Sequence, residues 1–206
     1  MQTTRSIVAL SALSLVALAT SAANASVNLA LGQAQIISAP PSCMPGALSG
    51  FNAFAWNEQT NVSLTNLPVD MINNPGSSGS AVSGFVGGTF DSHFISYENI
   101  PGVISASGSF TFSGTIAAVI FTQPLLDITD APLGAGSTIY PTGYTFRGLN
   151  STSSFTLNNN LLTFNFVTFT PTSDVIQLRV LTHVPTPGAS LALGAAGLVT
   201  LRRRRK

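Results

Sequence analysis

Between Ser26 and His183 the chain contains no lysine. Arg147 and Arg179 are the only basic residues there, against Glu58, Asp70, Asp91, Glu98, Asp127, Asp130 and Asp174, so two cations face seven acids and the net charge is −5. A nucleic-acid binder needs several cations to neutralise phosphates, so nucleic acid is excluded as a partner. The formal charge of +1 for the whole chain comes from its ends, where Arg5 and five consecutive basic residues lie. Cysteine occurs once, as Cys43. One cysteine cannot form an internal disulfide, so an exported body of this kind depends on its core for stability. Cys43 has no local motif of a catalytic thiol and reads as a buried or incidental group. Two histidines, His93 and His183, are too few and too distant for a zinc signature. No Gly-x-Ser-x-Gly elbow occurs, and no segment of the body carries convincing helical periodicity.

What is present begins with strand signals. The body of about 158 residues is long enough for one domain with a real core. It is rich in Ser, Thr, Asn and Gly, which disfavours helix and favours strands joined by tight turns. Strand-like runs cover 51–56, 61–64, 81–86, 93–97, 103–112, 115–122, 153–157, 161–169 and 175–182. Phe110 with Phe112, and Phe164 with Phe166, sit two apart, the spacing of one sheet face. Ile116 to Phe121 is continuously apolar and reads as a central strand buried on both faces. Asn73-Asn74-Pro75-Gly76 and Pro101-Gly102 mark turns, and Ser113-Gly114 and Asn158-Asn159-Asn160 read as hairpin connections. The expected fold is all-β: one antiparallel sandwich or jelly-roll-like domain over 26–183.

Both ends carry targeting signals. Arg5, the apolar run Ile7–Ala19 and the small-x-small triplet Ala23-Asn24-Ala25 form a signal peptide over 1–25, with Ser26 as first mature residue. The Sec translocon and signal peptidase are therefore expected partners. At the other end, Val184-Pro185-Thr186-Pro187-Gly188 precedes an apolar stretch from Ala189 to Leu201 and then Arg202, Arg203, Arg204, Arg205 and Lys206. Thirteen helical residues span about 20 Å, short of the roughly 30 Å bilayer core, which suits a temporary anchor. The basic run is expected to stay in the cytoplasm with the body outside. The two prolines hold the motif extended just outside the membrane.

This tail resembles the PEP-CTERM sorting signal of Gram-negative bacteria that make extracellular polysaccharide. Val184, Pro185 and Pro187 match the family pattern, and Thr186 stands where Glu is usual. The resemblance implies an exosortase-type transpeptidase as partner, removal of the tail by processing near Val184 to Gly188, and a path from inner-membrane anchoring to the cell surface or exterior. The body is similar to a recurring group of exported PEP-CTERM proteins without an assigned activity. The similarity rests on Phe54–Gln59, Asp91-Ser92-His93-Phe94, Gly108–Phe112, Asp127–Asp130, Leu133-Gly134, Tyr140-Pro141, Arg147-Gly148-Leu149 and Ile176–Thr182.

Candidate chemistry in the body is sparse. Asp127 and Asp130 offer carboxylates to Ca²⁺, with Asp91 or Asp174 to complete the shell. They lack the dense pattern of an EF-hand loop, and capping of turns is the favoured reading. Glu58 with Glu98, or with an Asp, offers the paired acids of a glycosidase, although surface acids are the default. Trp56, Tyr97, Tyr140 and Tyr144 are the leading sugar-stacking platforms, or else core. Arg179 is expected to pair with an acid on a neighbouring strand, and Arg147 is the other cation available for a sugar acid. The sequons at Asn61 and Asn150 carry little weight in a bacterial setting. Nothing calls for a catalytic residue, a metal or a cofactor. The expectation is a non-catalytic structural or adhesive protein of the envelope or extracellular matrix, linked to extracellular polysaccharide. The alternative is a secreted carbohydrate-active enzyme or carbohydrate-binding module.

Overall fold

A computed structural model describes residues 24–98, 105–168 and 174–184. The described chain is mostly β and forms two sheets. The first has the order β1 (Val27–Gly32), β7 (Ser105–Phe112), β10 (Leu161–Val167), β9 (Ser154–Asn158) and β5 (Gly76–Ser77). The second has the order β2 (Ala34–Ile36), β3 (Ala53–Asn57), β6 (Gly84–Tyr97), β11 (Ile176–His183) and β8 (Ile116–Ile120). A further strand, β4 (Val62–Val69), pairs with the first half of β6. One pair, β2 with β3, is parallel, and the other ladders are antiparallel.

Alternation decides how the sheets meet. In β7, β9 and β10 every second side chain is buried: Ala106, Phe110, Phe112, Phe155, Leu157, Leu162, Phe164 and Phe166. They pack against Ala53, Ala55, Ile95, Tyr97, Val119, Ile176, Leu178 and Val180 of the second sheet. The phenylalanines expected to share a face do so. Phe110 stacks on Phe164 at 5.5 Å, and Phe164 on Phe166 at 4.5 Å. Asn158-Asn159-Asn160 makes the β9–β10 hairpin, with Asn159 at φ 55°.

The second sheet is also covered on its other face. Trp56, Phe90, Phe94, Ala118, Ile120 and Leu181 form a second core with Cys43, Val69, Leu126 and Leu133. β11 is buried on both faces, with only His183 exposed. β8 is also buried on both faces, as expected, with Ile116 and Val119 in one core and Ala118 and Ile120 in the other. It is not central, however: it ends the strand order and has Met71 bridged to Val119 on its free side. Ser113-Gly114 also departs from the hairpin reading. It carries the chain from β7 in one sheet to β8 in the other.

The main departure is a helix, α1 (Gln123–Leu133). Thr122 is its N-cap residue and Pro124 lies in its first turn, where a missing N–H costs nothing. Its buried stripe is Leu126, Thr129 and Leu133, spaced to one face. A threonine in that stripe and two aspartates beside it hide the period from a hydropathy reading. Asp70 supplies the cap that Thr122 lacks: its carboxylate accepts the Phe121 N–H at 2.7 Å, the Thr122 N–H at 2.8 Å and the Thr122 hydroxyl at 2.9 Å. A carboxylate there also suits the positive end of the helix dipole.

Candidate functional site

The chemistry-bearing residues of the body converge on the covered outer face of the second sheet. Arg179 projects from β11 over the ring of Phe94 on β6, with its guanidinium carbon 4.9 Å from the ring centre. Its Nε donates to Glu58 Oε2 at 2.7 Å and its Nη2 to Glu58 Oε1 at 2.9 Å, a two-point clamp. It also donates to Thr129 Oγ1 at 2.6 Å and to Asp130 Oδ1 at 3.2 Å. Arg147 completes the network from the loop after α1. Its Nη1 donates to Asp127 Oδ1 at 2.7 Å and Asp130 Oδ2 at 2.6 Å, its Nη2 to Asp130 Oδ1 at 2.8 Å, and its Nε to Gln177 Oε1 at 2.7 Å. The side chains of Arg147, Arg179 and Glu58 have no exposed surface.

The remaining lone pairs of these acids are also used. The Tyr140 hydroxyl donates to Glu58 Oε1 at 2.6 Å, and Ser92 Oγ donates to Glu58 Oε2 at 2.6 Å. Thr142 Oγ1 donates to Asp130 Oδ2 at 2.6 Å. Burial alone works to raise the Asp130 pKa, but the hydrogen bond and charge of Arg147 outweigh it and hold the carboxyl below its ordinary value. Burial opposes the charge on Arg179, and Glu58 and Asp130 more than offset that, keeping it protonated. Burial and the Glu58 carboxylate together push the Tyr140 hydroxyl well above its usual range, so it stays a donor. Nearby Cys43 is buried, its Sγ donating to the Ile139 carbonyl at 3.6 Å, and burial pushes the thiol up to about 12.

The expected cation–acid pairing of Arg179 is present, but its partners differ from those expected. Glu58 follows β3, two strands away across Phe94, and Asp130 sits on α1. Asp127 and Asp130, read as caps of turns, lie on that helix instead and hold Arg147. Their oxygens are thus turned to guanidinium rather than to a cation site. Among the described residues no group of three or more His, Cys, Asp or Glu is placed to hold a metal ion.

The glycosidase pair does not assemble from Glu58 and Glu98. The Glu58 N–H donates to the Ser92 carbonyl at 2.9 Å, whereas Glu98 lies beyond the far end of β6 and accepts the Gly46 N–H at 2.6 and 2.7 Å. Six strand residues separate these points by roughly 20 Å, against the about 5–9.5 Å that such pairs need. Asp91 is buried and accepts the Asn61 N–H at 2.6 Å and the Ala25 N–H. Of the aromatic platforms, Trp56 and Tyr97 are fully buried, and Tyr140 is half-buried over Arg179. Tyr144 is half-buried beside Phe146, their ring centres 6.0 Å apart. A pocket of about 210 Å³ is lined by 145–150 and Asp174, but the guanidinium of Arg147 turns inward, away from solvent.

His93 faces the inter-sheet core. Asn57 Oδ1 accepts the Val27 N–H at 3.0 Å, so it acts as an acceptor, and His93 Nδ1 donates to it at 2.8 Å. Nε2 then accepts from the Thr182 hydroxyl at 2.9 Å. Burial lowers the His93 pKa to about 3, leaving a neutral imidazole.

A different surface offers itself to solvent. The outward side chains of the first sheet are Leu29 and Leu31 on β1, Ser105, Ser107, Ser109 and Thr111 on β7, Leu161, Thr163, Asn165 and Val167 on β10, and Ser154, Thr156 and Asn158 on β9. Ser109 stands opposite Thr163, which stands opposite Thr156; Ser107 opposite Asn165, which stands opposite Ser154. The centre of the face is an array of hydroxyls and amides, spaced about 4.8 Å across strands and 6.8 Å along them, with Leu29, Leu31, Leu161 and Val167 around it. It contains no charge. Indeed, no acidic side chain, arginine or lysine among the described residues is fully exposed.

No family model, curated protein or solved structure matches the chain. Of the targeting residues, Ala25, Ser26 and Val184 are described, and Val184 directly follows the central strand β11. Ala23, Pro185, Thr186, Pro187, Gly188 and the basic tail from Arg202 to Lys206 lie outside the described residues, as does the apolar segment before that tail. Among the described residues no helix is long and apolar enough to cross a membrane.

Proposed function

We propose that this is an exported protein of the cell envelope or extracellular matrix, held briefly in the inner membrane by its C-terminal segment and processed by an exosortase-type transpeptidase. Its role is non-catalytic: structural or adhesive, with uncharged polysaccharide as the contact. The observation that carries this reading is the open face of the first sheet. Nine hydroxyl and amide side chains, six of them paired across strands, present donors and acceptors without charge, which is the chemistry that matches a neutral glycan. Glu58, Asp127 and Asp130 support the same reading, because the two arginines engage all three inside the fold.

The test is retention of the released protein on an insoluble neutral glucan, with an anionic uronate polymer for comparison. Retention on the neutral polymer and not on the anionic one is expected. Thr163→Ala combined with Asn165→Ala removes two hydrogen-bonding side chains, each worth about 0.5–1.5 kcal/mol, and so weakens retention roughly tenfold. Binding that is unchanged by this pair, in protein with an unchanged circular dichroism spectrum, overturns the assignment of the face. Release of reducing ends from the glucan, abolished by Glu58→Gln, favours the carbohydrate-active enzyme instead.

A further inference from the structure

We propose that the signal-peptide cut falls between Ala23 and Asn24, so that the mature chain starts at Asn24 and keeps Ala25 as part of its core. This rests on the export reading above. The triplet Ala23-Asn24-Ala25 points to a cut before Ser26, but Ser21-Ala22-Ala23 satisfies the same small-x-small rule two residues earlier.

The fold distinguishes the two. Ala25 is 1% exposed, and its N–H donates to Asp91 Oδ2. Asp91 is itself fully buried, and among the described residues no cationic side chain pairs with it; its other oxygen accepts the Asn61 N–H. The methyl of Ala25 fills the space against Gly114, where a Cβ would come within 3.0 Å of it. Asn24 is engaged too, its Oδ1 accepting the Asn61 Nδ2 at 2.7 Å. Ser26 then pairs with Ser113 in both directions, at 2.8 and 2.9 Å.

A cut before Ser26 removes one of the two backbone donors of a buried carboxylate and empties the Ala25 slot. An under-satisfied buried anion is the costly outcome. A cut after Ala23 preserves both. The Ala23–Asn24 amide bond breaks; water supplies the hydroxyl to the Ala23 carbonyl and protons to the new Asn24 amine. The resulting ammonium lies one residue, a Cα step of about 3.8 Å, from the residue that donates to Asp91. The buried acid thereby gains a neighbouring positive charge that the uncleaved chain lacks. Asp91 is the positioning residue that ties the mature start to the turn at Asn61.

The full chain, expressed with its own leader in a Gram-negative host, is recovered from the exported fraction and its first residues are sequenced. A start at Asn24 is expected. A start at Ser26 overturns this placement and leaves export intact. Absence of the chain from the exported fraction overturns the export reading itself. As a second arm, Ser21→Arg spoils the small-x-small rule for the Ala23 cut only, and Ser21 belongs to no described part of the fold. Loss of the Asn24 species is expected, and an unchanged mature start in this variant refutes the proposal.

Discussion

Replacing Arg179 by Met is the perturbation that tests the interior most directly. Methionine keeps a flexible apolar stem of similar reach over Phe94. It removes the two-point clamp on Glu58, whose side chain has no exposed surface, and the 3.2 Å bond to Asp130. Asp130 retains Arg147, so the main casualty is Glu58, left with only the Tyr140 and Ser92 hydroxyls. Breaking a buried pair from one side costs about 3–5 kcal/mol. For a domain of this size each kcal/mol moves Tm by about 2–4 °C, so the expected fall is roughly 6–20 °C. Denaturation of the purified protein, followed by far-ultraviolet circular dichroism and by the fluorescence of the single tryptophan, Trp56, measures it. Glu58→Gln in the same chain neutralises the stranded acid and is expected to recover a good part of the loss. The double-mutant cycle isolates that coupling. A loss below about 1 kcal/mol, the value of an exposed ion pair, refutes the burial and the clamp together.

Three further outcomes follow from the same structure. His93 is held neutral with its pKa near 3, against an ordinary 6.5, so above pH 6.5 its titration is silent. As pH falls below 6.5 the unfolded chain takes up a proton that the native chain refuses, and stability drops by up to about 1.4 kcal/mol per unit; between pH 6.5 and 5 this slope is expected to vanish in His93→Gln. Cys43, pushed up to about 12, is expected to resist alkylation at pH 8 in native protein and to react fully once unfolded, and mass spectrometry before and after denaturant reads the difference. Substituting Arg202 to Arg205 by Ser is expected to remove the positive-inside stop and leave the tail uncleaved in fractionated cells; unchanged processing refutes the sorting role of the cluster.

Much of the sheet architecture was legible because its signal is local. β7, β9 and β10 alternate a phenylalanine or leucine with Ser, Thr or Asn, and period two has no other physical meaning over that length. The triple asparagine was legible as a hairpin for the same reason: one of its residues has to accept a positive φ. β1 and β2 escaped because Leu29, Leu31 and Ile36 are exposed there and no polar–apolar alternation marks a buried face. α1 escaped because Thr129 takes a core position by satisfying its hydroxyl, donating to the Leu125 carbonyl and accepting from Arg179. With the helix unseen, the site was unseen too. Asp127 and Asp130 meet Arg147 only because α1 turns both carboxylates toward the loop that follows it. Glu58 meets Arg179 only because the single strand β6 separates β3 from β11, so that the two side chains meet across Phe94. Charge count marked the two arginines as unusual, but their partners depended on tertiary placement.

The inward commitment of charge bears on how copies of this protein meet each other. With every described arginine and acid at least half withdrawn from solvent, few charges stand free to contact a partner. Association with a neutral polymer should then respond weakly to ionic strength. Between copies the net charge of −5 on 26–183 leaves a repulsion that salt screens. Local concentration and competition by water for the hydroxyl face then set whether molecules stay dispersed.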